Sequence, residues 1–303
     1  MRSNAIKKRH WKWEIPFHLM LLPGVLVTLV YSYGPMFGIV MAFQKFDPIL
    51  SFWRSEFVGW KNFEYIFHLP EFNQVIWNTV LISVLKIVLG LMVPLMLALL
   101  LNELTKEWFK RLVQTSIFLP FFLSWTVLGG VLMELFMLKG PVNLVLSMFG
   151  IDPIMFMGDG NWFRTIIVGS DVWKGMGYNM IIFLAAIVGI NSHLYEAAEV
   201  DGAGRWKQLI HITLPGMMPI IVLLATLSLG NILNAGFDQI LILYNPIVYE
   251  HADVIDTYVY RLGIFSQQYA PAAAIGLFKS AISLALVGIS YYLAYRFTNY
   301  RIF

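Results

Sequence analysis

Six stretches of this chain are apolar for about twenty residues or more, the length a helix needs to cross a lipid bilayer, and polar segments separate them. They run at roughly Ile15–Phe43, Val80–Leu101, Leu112–Leu138, Thr165–Ile190, Met217–Leu243 and Ala272–Tyr295. The pattern predicts an all-α integral membrane protein with six spanning helices. Residues 1–14 form a short N-terminal segment, and 15–303 a single transmembrane domain. Pro16, Pro23 and Pro35 fall in the first stretch and predict a kink or an interfacial start there. No internal repeat stands out, which argues against a fold built from inverted repeats.

Composition agrees with lipid as the solvent. Of 303 residues, 58% are hydrophobic and 13% charged, against about 45–50% and ~25% in soluble domains. The net charge of +3 gives no reason to expect a nucleic-acid partner. The chain has no cysteine, which excludes disulfides, thiolate metal sites and cysteine nucleophiles. Its six histidines are scattered without a pair at ligand spacing, so no metal site is expected. Met1–Trp13 is basic, and no small-residue cleavage site follows, so the first apolar stretch reads as a retained span rather than a signal peptide.

An even number of spans puts both termini on one side. Lys and Arg residues that flank the spans then divide 12 to 6 in favour of that side, with Lys7, Lys106, Arg111 and Arg205 among the 12. By the positive-inside rule the termini and the loop after the fourth span are cytoplasmic. The opposite loops are acidic and aromatic, as in "FVGWKNFEYIF" (Phe57–Phe67) and "NWFR" (Asn161–Arg164). They read as an interfacial aromatic belt or as a docking surface for an external protein or sugar rings.

The loop after the fourth span, about 191–216, contains "EAAEVDGAGRWKQLIHITLPG" (Glu196–Gly216). Ser192 is placed to cap a short helix over Leu194, Ala197 and Ala198, and Gly202 to end it in a left-handed turn. A second helix fits Arg205–Ile212, with Trp206, Leu209 and Ile210 on one face, and Pro215 should stop it before the fifth span. Ala197, Ala198 and Ala203 leave the first helix without bulk, so another backbone could approach it closely. Glu196 and Asp201 offer charge to a partner.

Glu196-Ala197-Ala198, Asp201-Gly202-Ala203, then Ile212, Leu214 and Pro215 resemble the EAA loop of permeases in binding-protein-dependent ABC importers. "LPFFLSWTVLGG", "DVIDTYVYRLGI" and "AAIGLFKSAISL" are similar to the lipoprotein/polysaccharide-type branch of the sugar-importing permeases. The resemblance covers nearly the whole chain and implies a bacterial plasma membrane. It implies a type I permease fold with cytoplasmic coupling helices, in which Glu196, Ala197, Ala198, Asp201, Gly202, Ala203 and Pro215 dock on an ATPase. It also implies a second, similar permease subunit as heterodimer partner, two copies of the ATPase, an extracellular solute-binding protein and an oligosaccharide substrate. This chain carries no GxxxxGK[ST] phosphate loop, so ATP and Mg²⁺ are expected in the separate ATPase subunits. No cofactor and no covalent catalysis are expected in this chain.

Polar residues inside the spans suggest where a path runs, because a charge at mid-membrane costs about 2.5–3.5 kcal/mol on insertion scales. Asn231, Asn234 and Asp238, at i, i+3 and i+7, are expected on one face of the fifth span. Together with Trp173, Tyr178 and Asn179 of the fourth they offer hydrogen bonds and an aromatic platform for a sugar. Asp171 and Lys174 are well placed to pair with each other, and Lys86 and Lys279 to snorkel from span ends. Two other classes of function are open: a stand-alone ion-coupled transporter, and an importer permease for a non-sugar solute.

Overall fold

A computed structural model describes residues 11–298. The basic residues before Trp11, and Arg301, lie outside the described residues. Six segments are long and apolar enough to cross a membrane: Ile15–Phe43, Pro70–Asn102, Trp125–Met148, Gly160–Val188, Arg205–Gly230 and Tyr269–Tyr292.

Helix α1 (Trp11–Thr28) passes through a π-helical turn at Leu29–Tyr33 into a 3-10 helix at Gly34–Phe43, so the change of winding sits beside Pro35. Helix α2 (Pro70–Asn102) begins ten residues before the apolar stretch that predicted it. Its start is polar, and Pro70 fits the first turn because that turn has no intrahelical use for an N–H. The predicted third span is not one helix. Chain winding runs from α3 (Glu107–Phe118) through a 3-10 turn at Leu119–Phe122 to α4 (Trp125–Phe136). Pro120 removes a donor at the turn, and Ser124 restarts the helix by accepting from Val127 N at 3.3 Å. The apolar pattern continues across this break, so hydropathy alone could not register it.

Helix α5 (Gly160–Val188) is the fourth span, capped by Asp159, whose Oδ1 accepts from Asn161 N and Trp162 N at 3.0 and 2.9 Å. Helix α6 (Ser192–Val200) follows in the loop, and α7 (Leu214–Gly230) and α8 (Phe237–Leu243) divide the predicted fifth span. The last span lies within α9 (Tyr269–Thr298).

Helices α2 and α5 pack side by side through the middle of the domain. Helix α3 meets α5 backbone to backbone: a β-carbon on Gly177 would lie 2.5 Å from Ile117 O and 2.6 Å from Phe118 Cα. One apolar cluster joins Ile82, Leu128, Ile167 and Ile240 around α8, and another joins Ala98, Met180, Phe183 and Met217 at the end of the bundle next to α6. Since lipid competes with side chains for apolar contact, close packing and hydrogen bonds hold such helices together more than water exclusion does.

The candidate translocation site and coupling helix

The fifth span breaks where Asn231–Gly236 leave the helix, and this break builds the site. Gly236 has φ +96°, a left-handed conformation that favours glycine, and a β-carbon there would lie 2.8 Å from Lys86 Nζ. The expectation that Asn231, Asn234 and Asp238 share a helical face is therefore corrected. Two asparagines, a glycine, an aspartate and a glutamine within nine residues were the available signal, being turn composition rather than helix.

Lys86 holds the break to α2. It is 8% exposed and donates to Ala235 O at 2.7 Å, to Gln239 Oε1 at 2.5 Å and to Asp171 Oδ1 at 3.2 Å. Gln239, fully buried, donates in turn to Ile167 O and Ser170 Oγ, both at 2.8 Å. The expected snorkelling of Lys86 is overturned: sixteen residues, or about 24 Å of helix, separate it from each end of α2. Asp171 pairs with Lys86 and not with Lys174, another correction. Lys279 also stays inside, bonded to Asp256 Oδ1 at 2.5 Å and to Asn234 Oδ1 at 2.7 Å.

A cavity of about 340 Å³ opens beside this network. Ser83, Gly90 and Lys86 line it from α2, Asp171 and Asn179 from α5, and Asn231 and Asn234 from the break. Asn179 donates to Gly90 O at 3.2 Å, and Asn234 to Asn231 Oδ1 at 3.3 Å. Ser83 Oγ is buried at this wall without a partner among the described residues. Tyr178, expected in the path, is outside the lining, its ring stacked on Phe121 at 4.9 Å. Two further expected residues are elsewhere. Trp173 sits about 200° round the helix from Asp171, and Asp238 is exposed at the start of α8, outside the cavity lining. Gln239, Lys86, Ser83 and Gly236, which sequence reasoning did not assign to the path, belong to this centre.

At the other end of α5, helix α6 has no buried residue. Asn191, not Ser192, caps it, accepting from His193 N at 3.0 Å. Its end forms a Schellman motif: Ala203 N donates to Ala198 O at 2.8 Å and Gly202 N to Glu199 O at 3.0 Å, with Gly202 at φ +72°. A bond between Tyr195 Oη and Thr213 Oγ1 at 2.9 Å ties it to the next segment. Glu196 and Asp201 are exposed, Glu196 meeting His193 Nδ1 at 3.1 Å, and Ala197 is exposed while Ala198 and Ala203 are half-buried. The expectation that Pro215 ends a second helix is corrected, because winding is continuous from Arg205 to Gly230. A π-helical turn at Leu209–Thr213 precedes the proline, which then falls in the first turn of α7, where its missing N–H is tolerated.

The opposite loops are mostly built into the fold. Phe63 and Ile66 are buried, and Trp60, still exposed, leans on Phe43 and Phe63. Phe163 is fully buried, and Arg164 donates to His251 O at 2.7 Å and to Asn78 Oδ1 at 2.6 Å. Asp253 pairs with Arg261, whose guanidinium lies between the Tyr249 and Tyr258 rings. Burial holds the Asp253 carboxyl above the usual carboxylate range, and hydrogen bonds from Thr257 and Arg261 offset only part of that rise.

Residues 86–299 match the family described as "Binding-protein-dependent transport system inner membrane component". The chain is 39% identical over 301 residues to Protein LplB of Bacillus subtilis (strain 168), covering 99% of this chain and 93% of that one. It is also 39% identical over 281 residues to the polygalacturonan/rhamnogalacturonan transport system permease protein YteP of the same organism, covering 92% and 88%. Among solved structures, a chain from a bacterial alginate ABC transporter, in complex with alginate pentasaccharide-bound periplasmic protein, superposes with a TM-score of 0.89 at 37% identity, covering 97% of this chain and 100% of that chain. Sequence, fold and the exposed helix after the fourth span thus agree, and this chain belongs to the family of inner-membrane components of binding-protein-dependent transport systems.

Proposed function

We propose that this chain is one transmembrane subunit of an ATP-driven importer for oligosaccharides, that its central cavity is part of the sugar's path, and that α6 is its coupling helix. Membership in a binding-protein-dependent family favours this over a stand-alone ion-coupled transporter. Relatives named for polygalacturonan/rhamnogalacturonan, arabinooligosaccharide and galactooligosaccharide transport favour a saccharide over another solute.

The observation that carries the coupling role is α6 itself, a helix with no buried residue, closed by a formed C-terminal motif. Its small and charged surface suits a groove in a cytoplasmic ATPase, where Glu196, Ala197, Ala198, Asp201, Gly202 and Ala203 would make contact. ATP and Mg²⁺ bind in two copies of that ATPase, not here. A second, similar permease chain completes the conduit, and an extracellular binding protein delivers the sugar. Closure of the ATPase pair pulls α6, and the spans rock between inward-open and outward-open states. Contacts that differ between those states must supply the free energy of the change.

Glu196→Trp tests this. Glu196 is 69% exposed as a side chain, so the variant should insert normally but lose co-purification of the ATPase and binding-protein-stimulated ATP hydrolysis. Normal assembly and normal uptake in that variant would refute the coupling role.

A further inference from the structure

Lys86, Lys174 and Lys279 each lie ten or more residues from either end of their span, and of these three only Lys174 has no carboxylate within 4.0 Å among the described residues. Lys86 has Asp171, and Lys279 has Asp256. Lys174 donates to Phe121 O at 2.9 Å, with its Nζ 5.4 Å from the Phe121 ring centre and 5.5 Å from that of Trp125. An ammonium has three N–H donors, so this contact leaves two for another acceptor.

Lys174 is outside the cavity lining but shares an arc of α5 with residues that form it. Each helical residue advances about 100°, so Lys174, Tyr178, Asp171, Gly175 and Asn179 fall within about 140° of the α5 circumference. The last three of these line the cavity. The Tyr178 ring, half-exposed, is stacked on Phe121 at 4.9 Å with planes 10° apart, and Phe121 is stacked in turn on Phe118. A flat aromatic surface and an ammonium with spare donors thus lie together on the arc of α5 next to the cavity-lining residues, of which Asp171 is partly exposed. A carboxylate and an ammonium on one arc are strongly disfavoured against lipid chains, so that arc faces an aqueous or protein surface.

We propose that Lys174, Tyr178 and Phe121 form a subsite for a uronate residue, so that the oligosaccharide carried is acidic. The apolar face of the pyranose lies on the Tyr178 ring, its hydroxyls face Asn179, and its carboxylate accepts from Lys174 in a charge-assisted bond. Lys86 is not the reader, because its three donors are already taken up by Ala235, Gln239 and Asp171. This inference rests on the importer reading above and adds the charge of the cargo.

The test uses the whole complex, purified with its partner permease, ATPase and binding protein and placed in proteoliposomes. The probes are galacturonate and mannuronate oligomers, their methyl esters, which keep the rings but lose the charge, and neutral gluco-oligomers. A free acid should stimulate ATP hydrolysis and uptake at lower concentration than its ester. Lys174→Gln should raise the half-saturating concentration of the acid about tenfold and leave that of the ester unchanged, and Lys174→Arg should stay close to wild type. Equal responses of Lys174→Gln and wild type to the acid would overturn the subsite. Preference of the wild type for neutral oligomers would overturn the acidic cargo while the importer reading stood. Stimulation by no saccharide at all would remove both. If Lys174→Gln fails to assemble, Tyr178→Leu, which spares the bond from Lys174 to Phe121, should weaken acid and ester together; no change would overturn the platform. Assembly rescued by Lys174→Arg without any preference for acid over ester would assign Lys174 to a carboxylate of the adjoining subunit instead, and overturn the proposal.

Discussion

At the scale of single residues, Lys86 does the most to define the centre. A buried acceptor that loses its donor costs about 1–3 kcal/mol, and Lys86 serves two of them, Ala235 O and the fully buried Gln239 side chain. Asp171 is different, being 36% exposed, so water can replace its partner. The two ends of one ion pair should therefore be unequal. Lys86→Met is expected to cost about 2–4 kcal/mol, and Asp171→Asn no more than about 1 kcal/mol, since Lys86 keeps two acceptors. Thermal unfolding of the detergent-purified complex checks this, and equal losses would show that the pair, rather than the clamp on the break, matters. None of this inequality is legible in the sequence. From the apolar stretch alone Lys86 lies six residues into a span, whereas the polar first turns of α2 move that start back to Pro70 and put Lys86 at the midpoint.

Among the elements, those with their own local chemistry were legible and those set by tertiary contact were not. Six spans follow from hydropathy, and the helix ended by Gly202 follows from small residues and a glycine, since that turn closes with hydrogen bonds inside residues 198–203. The breaks at Leu119–Phe122 and Asn231–Gly236 were missed because apolar residues lie on both sides of each. What holds the second is a lysine from α2, 149 positions from Ala235 in the chain. The same contrast yields a prediction for α6. A β-carbon on Gly202 would meet nothing within 4 Å, so a substitution there is opposed only by the left-handed backbone. Gly202→Ala should thus destabilise the helix end by about 1–2 kcal/mol and Gly202→Asn by less, because asparagine tolerates that conformation. Hydrogen exchange at the amides of residues 202 and 203 should accelerate in that order; equal protection in all three proteins would mean the turn is held by something other than its own φ angle.

For the whole molecule, orientation has the largest physical consequence, because a coupling helix on the outer side could meet no ATPase. The two functional ends are far apart: the 29 residues of α5 cover about 44 Å, from the cap at Asp159 to α6 just beyond Val188. That exceeds the ~30 Å hydrocarbon thickness, so the ends emerge on opposite sides. Lysine and arginine favour the α6 side as cytoplasmic by 12 to 6. The absence of cysteine makes the chain its own background for thiol labelling. Ile247, 72% exposed near the end of α8, and Glu199, exposed on α6, lie at sites where a small polar residue disturbs no packing. A membrane-impermeant maleimide should label Ile247→Cys in spheroplasts and spare Glu199→Cys, and inside-out vesicles stripped of ATPase should give the reverse. The opposite pattern would put α6 outside the cell, and with it would go both the coupling role and the direction of transport, however well the cavity and its lysines fit a sugar.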